Sequence, residues 1–364
     1  MQRIKTLIAW AKSNQHHLLS ASFFVGFVID NLTLNRVDSQ GDNIILATYM
    51  VLMMFSTLML YAALATKLPE RIVPFCRDFM PYVMQFSFGG VLSGMLIFYS
   101  RSGSWESSWP FLVIIVGVIA GNELLSRRAE RLVFNLSVLF IALFSYTALI
   151  IPVLIGRMGE VVFVISSIIA LAIFVAFVQT LIAIVPNFIR LHIRTIVFSV
   201  GGIFMTMQFL YFANLIPPIP LSLKDIGIYH NVEKTQDGSY LLSYEKQPWW
   251  QFWDRRKNTF TPSEGAFPYC YSSVFAPTKL STAIVHEWQY YVDAEKEWQS
   301  RSVVSFAIAG GRAEGYRGYS YKETYEPGKW RCLVRTERGQ TIGYVTFLIR
   351  EEASAVPPLE TVIK

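Results

Sequence analysis

Seven apolar stretches in the first 216 residues constrain this chain more than any other feature. They run roughly over Leu18–Leu34, Ile44–Ala65, Phe79–Tyr99, Trp109–Leu125, Val133–Leu154, Val161–Val185 and Thr195–Ile216. A hydrocarbon core about 30 Å thick takes about 20 apolar residues as helix. Lipid offers no partners to backbone N–H and C=O groups, and a helix satisfies its own. The expected architecture of residues 1–216 is therefore a membrane α-helical bundle of about seven transmembrane helices, the first and fourth being the shortest.

Composition supports this division. Over the whole chain 53% of residues are apolar and 16% charged, against about 25% charged in soluble domains. An ordinary soluble enzyme and a disordered chain are both excluded. Residues 1–216 carry 14 basic and 9 acidic side chains, and residues 217–364 carry 18 and 17. The second part reads as a water-soluble domain of its own. Between them Ile216-Pro217-Pro218-Ile219-Pro220 cannot continue a helix. The expected boundaries are 1–216 for the membrane domain, 217–238 for a Pro-rich linker and lead-in, and 239–364 for the soluble domain. The net charge of +6 is too dispersed to point to nucleic acid.

Loop charges give an orientation, because Lys and Arg concentrate on the cytoplasmic side. The N-terminal tail and the loops after spans two, four and six hold eleven basic residues, among them Arg71, Arg127, Arg128, Arg190 and Arg194. The other three loops hold only Arg36, Arg101 and Arg157. The bias predicts a bacterial inner-membrane protein with a cytoplasmic N-terminus and a periplasmic C-terminal domain. Near the start, Ile4, Leu7, Ile8 and Ala11 share a helical face, with Arg3, Lys5 and Lys12 off it. That pattern suits an amphipathic segment on anionic lipid, or an extension of the first span.

Ionisable residues within a membrane are costly and mark pumps and relays. Only Asp30 and Glu123 stand near span ends. They read either as a buried acid–base or ion site or as interfacial charges paired with Arg36 and Arg127. Gly90 with Gly94 and Gly117 with Gly121 have the spacing that lets helices approach closely, for a homodimer seam or for packing within one chain. Gln85, Asn135, Gln179 and Gln208 are the polar residues a carrier would use to line a path.

From residue 239 onward the pattern alternates with the period of strands. Ser239–Glu245, Cys270–Ala276, Thr282–Tyr291, Ser302–Ile308, Trp330–Glu337 and Thr341–Arg350 are expected strands, separated by turns such as Glu326-Pro327-Gly328. Short strands with frequent turns predict an all-β, immunoglobulin-like sandwich. In an oxidising compartment Cys270 and Cys332 can bond across its core, or both can be small buried hydrophobes. Cys76 falls in a cytoplasmic loop in this reading.

The motifs of this half carry a resemblance. His286-Glu287-Trp288, Gly310-Gly311-Arg312, Gly315-Tyr316-Arg317-Gly318-Tyr319-Ser320, Pro327-Gly328-Lys329-Trp330-Arg331, and Gly339-Gln340 with Ile342-Gly343 resemble the bacterial domain of unknown function 2914. The run from Phe86 to Glu123 resembles the membrane module of unknown function 5924. The resemblance implies an inner-membrane protein with an outer β-domain, and no reaction. Cys332 stands where that family has an apolar β-branched residue.

Two groups of residues invite a functional reading. His286, Trp288, Arg312, Arg317, Tyr319 and Trp330 suit a glycan or anionic-polymer site, with rings stacking and arginines binding charge; the alternative is a structural cluster. Trp249, Trp250, Trp253, Arg255 and Arg256 suit docking on membrane lipids, with a partner patch or plain core as alternatives. No nucleophile elbow, metalloprotease helix, phosphate loop or Cys–His metal spacing occurs in the sequence. The expectation is a non-enzymatic protein, without cofactor or metal, that presents its β-domain to a periplasmic glycan, lipid or envelope protein. A carrier with the β-domain as a lid is the first alternative, and a membrane-embedded enzyme using Asp30 or Glu123 the second.

Overall fold

In the computed structural model the described residues are 18, 21, 25, 27–30, 32–34, 39–103, 105–124, 132–246, 259–263, 265–277, 280–311, 314–351 and 358–364; the side chains at 105–107 and 122–124 are not among them. The chain divides into two compact units. One comprises residues 1–100, 109–154 and 158–216, and the other 217–364 with 101–108 and 155–157.

The first unit is helical. Six helices are described over their length: α1 (Gln40–Leu64), α2 (Val73–Ser102), α3 (Trp105–Leu124), α4 (Leu132–Ile155), α5 (Glu160–Ile184) and α6 (Pro186–Phe212). All but α3 are long and apolar enough to cross a membrane. Of the first expected span, Leu18–Leu34, residues 18, 21, 25, 27–30, 32 and 33 are described and helical. Ser39 caps α1 by accepting from the Asp42 backbone N–H. Large apolar side chains face outward, including Leu191 at 79% and Phe198 at 80% exposure. Polar ones turn inward: Asn135 Nδ2 donates to Tyr61 Oη at 3.0 Å, and Tyr99 Oη to the Ser145 carbonyl at 3.1 Å. That inversion of an ordinary soluble surface fits a lipid surround.

Between α5 and α6 only Val185 intervenes, and Pro186 opens α6 at the position where its missing N–H costs nothing. The two helices return antiparallel, with Phe163 stacked on Tyr211 at 3.6 Å and Gln208 donating to Ser167 at 2.8 Å. Arg190 and Arg194 therefore lie in the first turns of α6, not in a loop as the charge pattern implied. Cys76 likewise lies within α2 and is buried, correcting its expected loop position.

The second unit is β-rich. Its strands are β1 (Ser222–Tyr229), β2 (Asn231–Lys234), β3 (Tyr240–Glu245), β4 (Thr259–Phe260), β5 (Tyr269–Phe275), β6 (Ser281–Val292), β7 (Glu297–Ala309), β8 (Tyr316–Tyr321), β9 (Gly328–Thr336), β10 (Thr341–Ile349) and β11 (Leu359–Ile363). They form a sheet ordered β1-β5-β8, a five-stranded sheet β4-β10-β9-β6-β7, and a third sheet β11-β3-β2. β4 joins β10 in parallel, and the other pairings are antiparallel.

Residues 217–238 are not a linker. Ile226 and Ile228 of β1 are buried, β1 pairs with β5, and β2 pairs with β3. The last helix ends at Phe212, ahead of the prolines, with Asn214 at φ +58°, and the chain enters sheet structure directly after Leu221. The expected turn at Pro327-Gly328 is present, with Gly328 at φ +138°.

Candidate functional site

β5 alternates strictly. Cys270, Ser272 and Val274 point to one face, and Tyr269, Tyr271 and Ser273 to the other. The first face meets β6 and β9. Cys270 is disulfide-bonded to Cys332 of β9, with Cα atoms 6.5 Å apart, so the bond joins the three-stranded sheet to the five-stranded one.

Beside the disulfide lies His286 of β6, fully buried. Its Nε2 is 2.7 Å from Ser272 Oγ on β5, and its Nδ1 is 2.9 Å from Ser320 Oγ on β8. Trp288 donates its indole N–H to the same Ser320 oxygen at 3.0 Å. One proton arrangement gives every atom a role: Ser320 accepts from Trp288 and donates to Nδ1, and Nε2–H donates to Ser272. The imidazole is then neutral, as burial requires, with its pKa pushed down to about 3. Phe306 closes the remaining side, edge-on at 4.8 Å.

The Cys270 and Cys332 sulfurs and a His286 nitrogen lie within 4.8 Å of one another. A metal would need the sulfurs as thiolates. Bonded to each other, they offer none, so this cluster is a structural link between sheets.

Of the six residues expected to form one ligand site, the five that are described do not share a surface. His286, Trp288 and Trp330 are buried, which removes them from direct ligand contact. Trp330 donates its N–H to the Glu326 carbonyl at 2.8 Å. Arg312 lies outside the described residues. Arg317 and Tyr319 stand on the opposite face of the three-stranded sheet from His286, since Ser320 points in and its neighbours point out.

That opposite face carries a feature the sequence reading missed. Tyr319 and Tyr321 of β8 are 40% and 47% exposed. Tyr269 of β5 lies between them, with ring centroids 6.0 Å from Tyr319 and 5.6 Å from Tyr321. Phe267 extends the strip at 6.2 Å from Tyr321, and Tyr240 at 6.3 Å from Tyr319. Arg317, two residues before Tyr319, completes the row on β8 and is close enough to Tyr271 to act on its hydroxyl. Burial drives the Tyr271 hydroxyl well above its ordinary pKa, and the Arg317 charge works against that rise. Beside the strip, on the same face, Tyr229, Val232, Tyr240, Leu242 and Tyr271 form a buried cluster that seats the third sheet.

The outward face of the five-stranded sheet is also rich in rings and charge, but its charged groups pair with one another. Arg335 pairs with Glu287, and Gln289 donates to Glu287 at 2.5 Å. Arg331 donates to Gln289 at 2.6 Å and lies 4.4 Å over the Trp298 ring.

In the helical unit the polar residues of the carrier reading are dispersed. Asn135 and Gln208 are taken up by Tyr61 and Ser167, and Gln179 is exposed on α5. A cavity of about 620 Å3 is lined by Leu132, Val133, Phe134, Ser137, Phe188, His192 and Ser199, and neither these three nor Gln85 line it. Asp30 is buried and accepts from Ser93 Oγ at 3.0 Å. The Glu123 side chain lies outside the described residues. Gly90 and Gly94 are taken up inside the unit: a Cβ at Gly90 would stand 2.5 Å from the Tyr49 ring, and one at Gly94 2.6 Å from Leu46. For that pair the geometry is packing within one chain, the other of the two expectations. Among the described residues nothing lies within 4 Å of a Cβ placed at Gly117 or Gly121. Trp249, Trp250, Trp253, Arg255 and Arg256 lie outside the described residues.

Residues 281–349, from β6 to β10, match a family model described as a protein of unknown function (DUF2914). No curated protein matches the chain. Among solved structures, the Pseudomonas fluorescens alkylpurine DNA glycosylase AlkC bound to DNA containing an abasic site analog aligns at 9% identity over 87% of this chain and 100% of that one. Its TM-score of 0.20 carries no argument about fold or function. The family match thus rests on the strands that hold His286, Trp288, Trp330 and Cys332.

Proposed function

We propose that this is a non-enzymatic inner-membrane protein whose β unit binds an envelope glycan in the periplasm. The observation that carries the reading is the aromatic strip Phe267–Tyr321–Tyr269–Tyr319, exposed at Tyr319 and Tyr321 and half-buried elsewhere, with Arg317 in its row. Sugar rings present apolar C–H faces that stack on aromatic rings, while hydroxyls bond to phenol groups at the ring edges. An arginine beside the strip adds a fork for a carboxylate or phosphate on the glycan. Three rings spaced about 6 Å apart offer stacking to successive sugars of a polymer rather than to a single monosaccharide.

The compartment follows from the charge bias of the loops, with seven crossings leaving the C-terminal unit outside. The Cys270–Cys332 bond is in keeping with an oxidising compartment. The β unit is read as an immunoglobulin-like sandwich pinned by that bond, and the helical unit as the membrane module of unknown function 5924. The Trp249–Arg256 stretch, from its sequence, suits contact with the lipid headgroups. The dispersal of Asn135, Gln179 and Gln208 favours an anchor over a carrier.

The test uses the full chain in detergent micelles, sedimented with purified peptidoglycan sacculi, and in parallel arms with lipopolysaccharide and with anionic lipid vesicles. Co-sedimentation with sacculi that is lost in Tyr319→Ala/Tyr321→Ala supports the reading. A folded protein that ignores sacculi, or one whose binding survives that double substitution, removes it.

A further inference from the structure

We propose that β7 is a self-association edge, pairing antiparallel with β7 of a second copy of this chain. β7 is the last strand of the five-stranded sheet, so among the described residues one of its edges has no neighbour. Such an edge presents a row of unpaired N–H and C=O groups, and proteins normally guard it with charges, prolines or bulges. Here the guards stand at one end only. The register against β6 skips Arg301, because Trp288 faces Ser302 and the next residue, Gln289, faces Ser300. Arg301 is thus the bulge residue. Beyond it, Ser302-Val303-Val304-Ser305-Phe306-Ala307-Ile308-Ala309 contains neither a charge nor a proline. Val303 is 61% exposed and Val304 37%, so both faces of the strand are open at this point.

The segment is complementary to itself. A twofold axis normal to the sheet must pair residues from the same face. Centred on Ser305, it sets Val303 against Ala307, Val304 against Phe306, and Ser302 against Ile308. No like charges meet, and Arg301 falls at the margin. The same arithmetic excludes most charged peptides from profiting equally, since nothing in this stretch complements a charge. A second copy also brings a strand of matching length. This inference stands apart from the glycan reading, which concerns the face of a different sheet.

The experiment measures the mass of the full chain in detergent micelles by light scattering over a concentration series, for the native chain, Ser305→Lys and Ser305→Cys. The native chain is expected to dimerise. Ser305→Lys sets two ammonium groups opposite each other and weakens the dimer roughly tenfold or more. Ser305→Cys, at the axis, is expected to give a covalent dimer on mild oxidation, where Glu297→Cys does not. Near-ultraviolet circular dichroism of each variant shows that the β unit is still folded. A folded chain that is monomeric at every concentration, or a dimer indifferent to Ser305→Lys, overturns the proposal.

Discussion

His286 and Ser272 stand 2.7 Å apart across two sheets, imidazole against hydroxyl, both fully buried. A histidine so placed is held neutral, and protonating it would leave a buried charge with only two hydroxyls for company. Its folded pKa of about 3 lies below the unfolded value of about 6.5. The unfolded chain therefore binds the extra proton first. Stability is intact above about pH 6.5 and falls as the pH drops from there toward 3. At pH 5 the loss is about 2 kcal/mol. Thermal unfolding of the β unit between pH 7 and 5 measures it, and His286→Gln should flatten that slope while lowering stability at pH 7.

Removing the inter-sheet bond has a size of its own. The disulfide closes a loop of 62 residues, and a loop of that length confers about 4 kcal/mol in the chain-entropy view. The double variant Cys270→Ala/Cys332→Ala is expected to unfold roughly 10 °C lower. A reductant should reproduce the shift in the native chain and do nothing further to the double variant.

In the helical unit the two glycine pairs should respond differently. Gly90→Val drives a side chain into the Tyr49 ring, an overpacking worth about 1–3 kcal/mol. Gly117→Val places a Cβ with nothing within 4 Å among the described residues and should leave the unfolding temperature in micelles within a degree or two of the native chain.

Glu245 gives an independent acid-side signal in the third sheet. Burial alone would raise its pKa, but bonds from His230 at 3.0 Å and the Thr261 backbone N–H at 2.5 Å outweigh that and hold it below the usual carboxylate value. Its contribution is therefore present above the ordinary glutamate pKa and disappears as the pH falls below it. Glu245→Gln should remove that part of the acid sensitivity, seen as a smaller difference in unfolding temperature between pH 5 and 3.5.

The helices were plain in the sequence because twenty apolar residues in a row have few other fates. The strands with apolar inward positions, such as Ile284 and Trp288 of β6 or Trp330, Cys332 and Val334 of β9, were equally visible. β8 was not. Its inward positions are Tyr316, Gly318 and Ser320 and its outward ones Arg317, Tyr319 and Tyr321, so no apolar face marks it as a strand. β1 was hidden behind three prolines, and β11 stands apart from its partner β3 by more than a hundred residues. The division of the expected ligand residues between a buried cluster and an exposed strip was also out of reach. It depends on Ser272 and Ser320, whose role appears only when β5 and β8 are set side by side.

The central claim is that the tyrosine strip on β5 and β8 receives a glycan. Its most direct measurement is the affinity of soluble peptidoglycan fragments for the full chain in micelles, with Arg317→Ala, Tyr319→Ala and Tyr321→Ala beside the native protein. The account predicts that each substitution weakens binding by about 1–3 kcal/mol while leaving the unfolding temperature unchanged. Native binding that none of the three disturbs, or no binding by a folded protein, contradicts it.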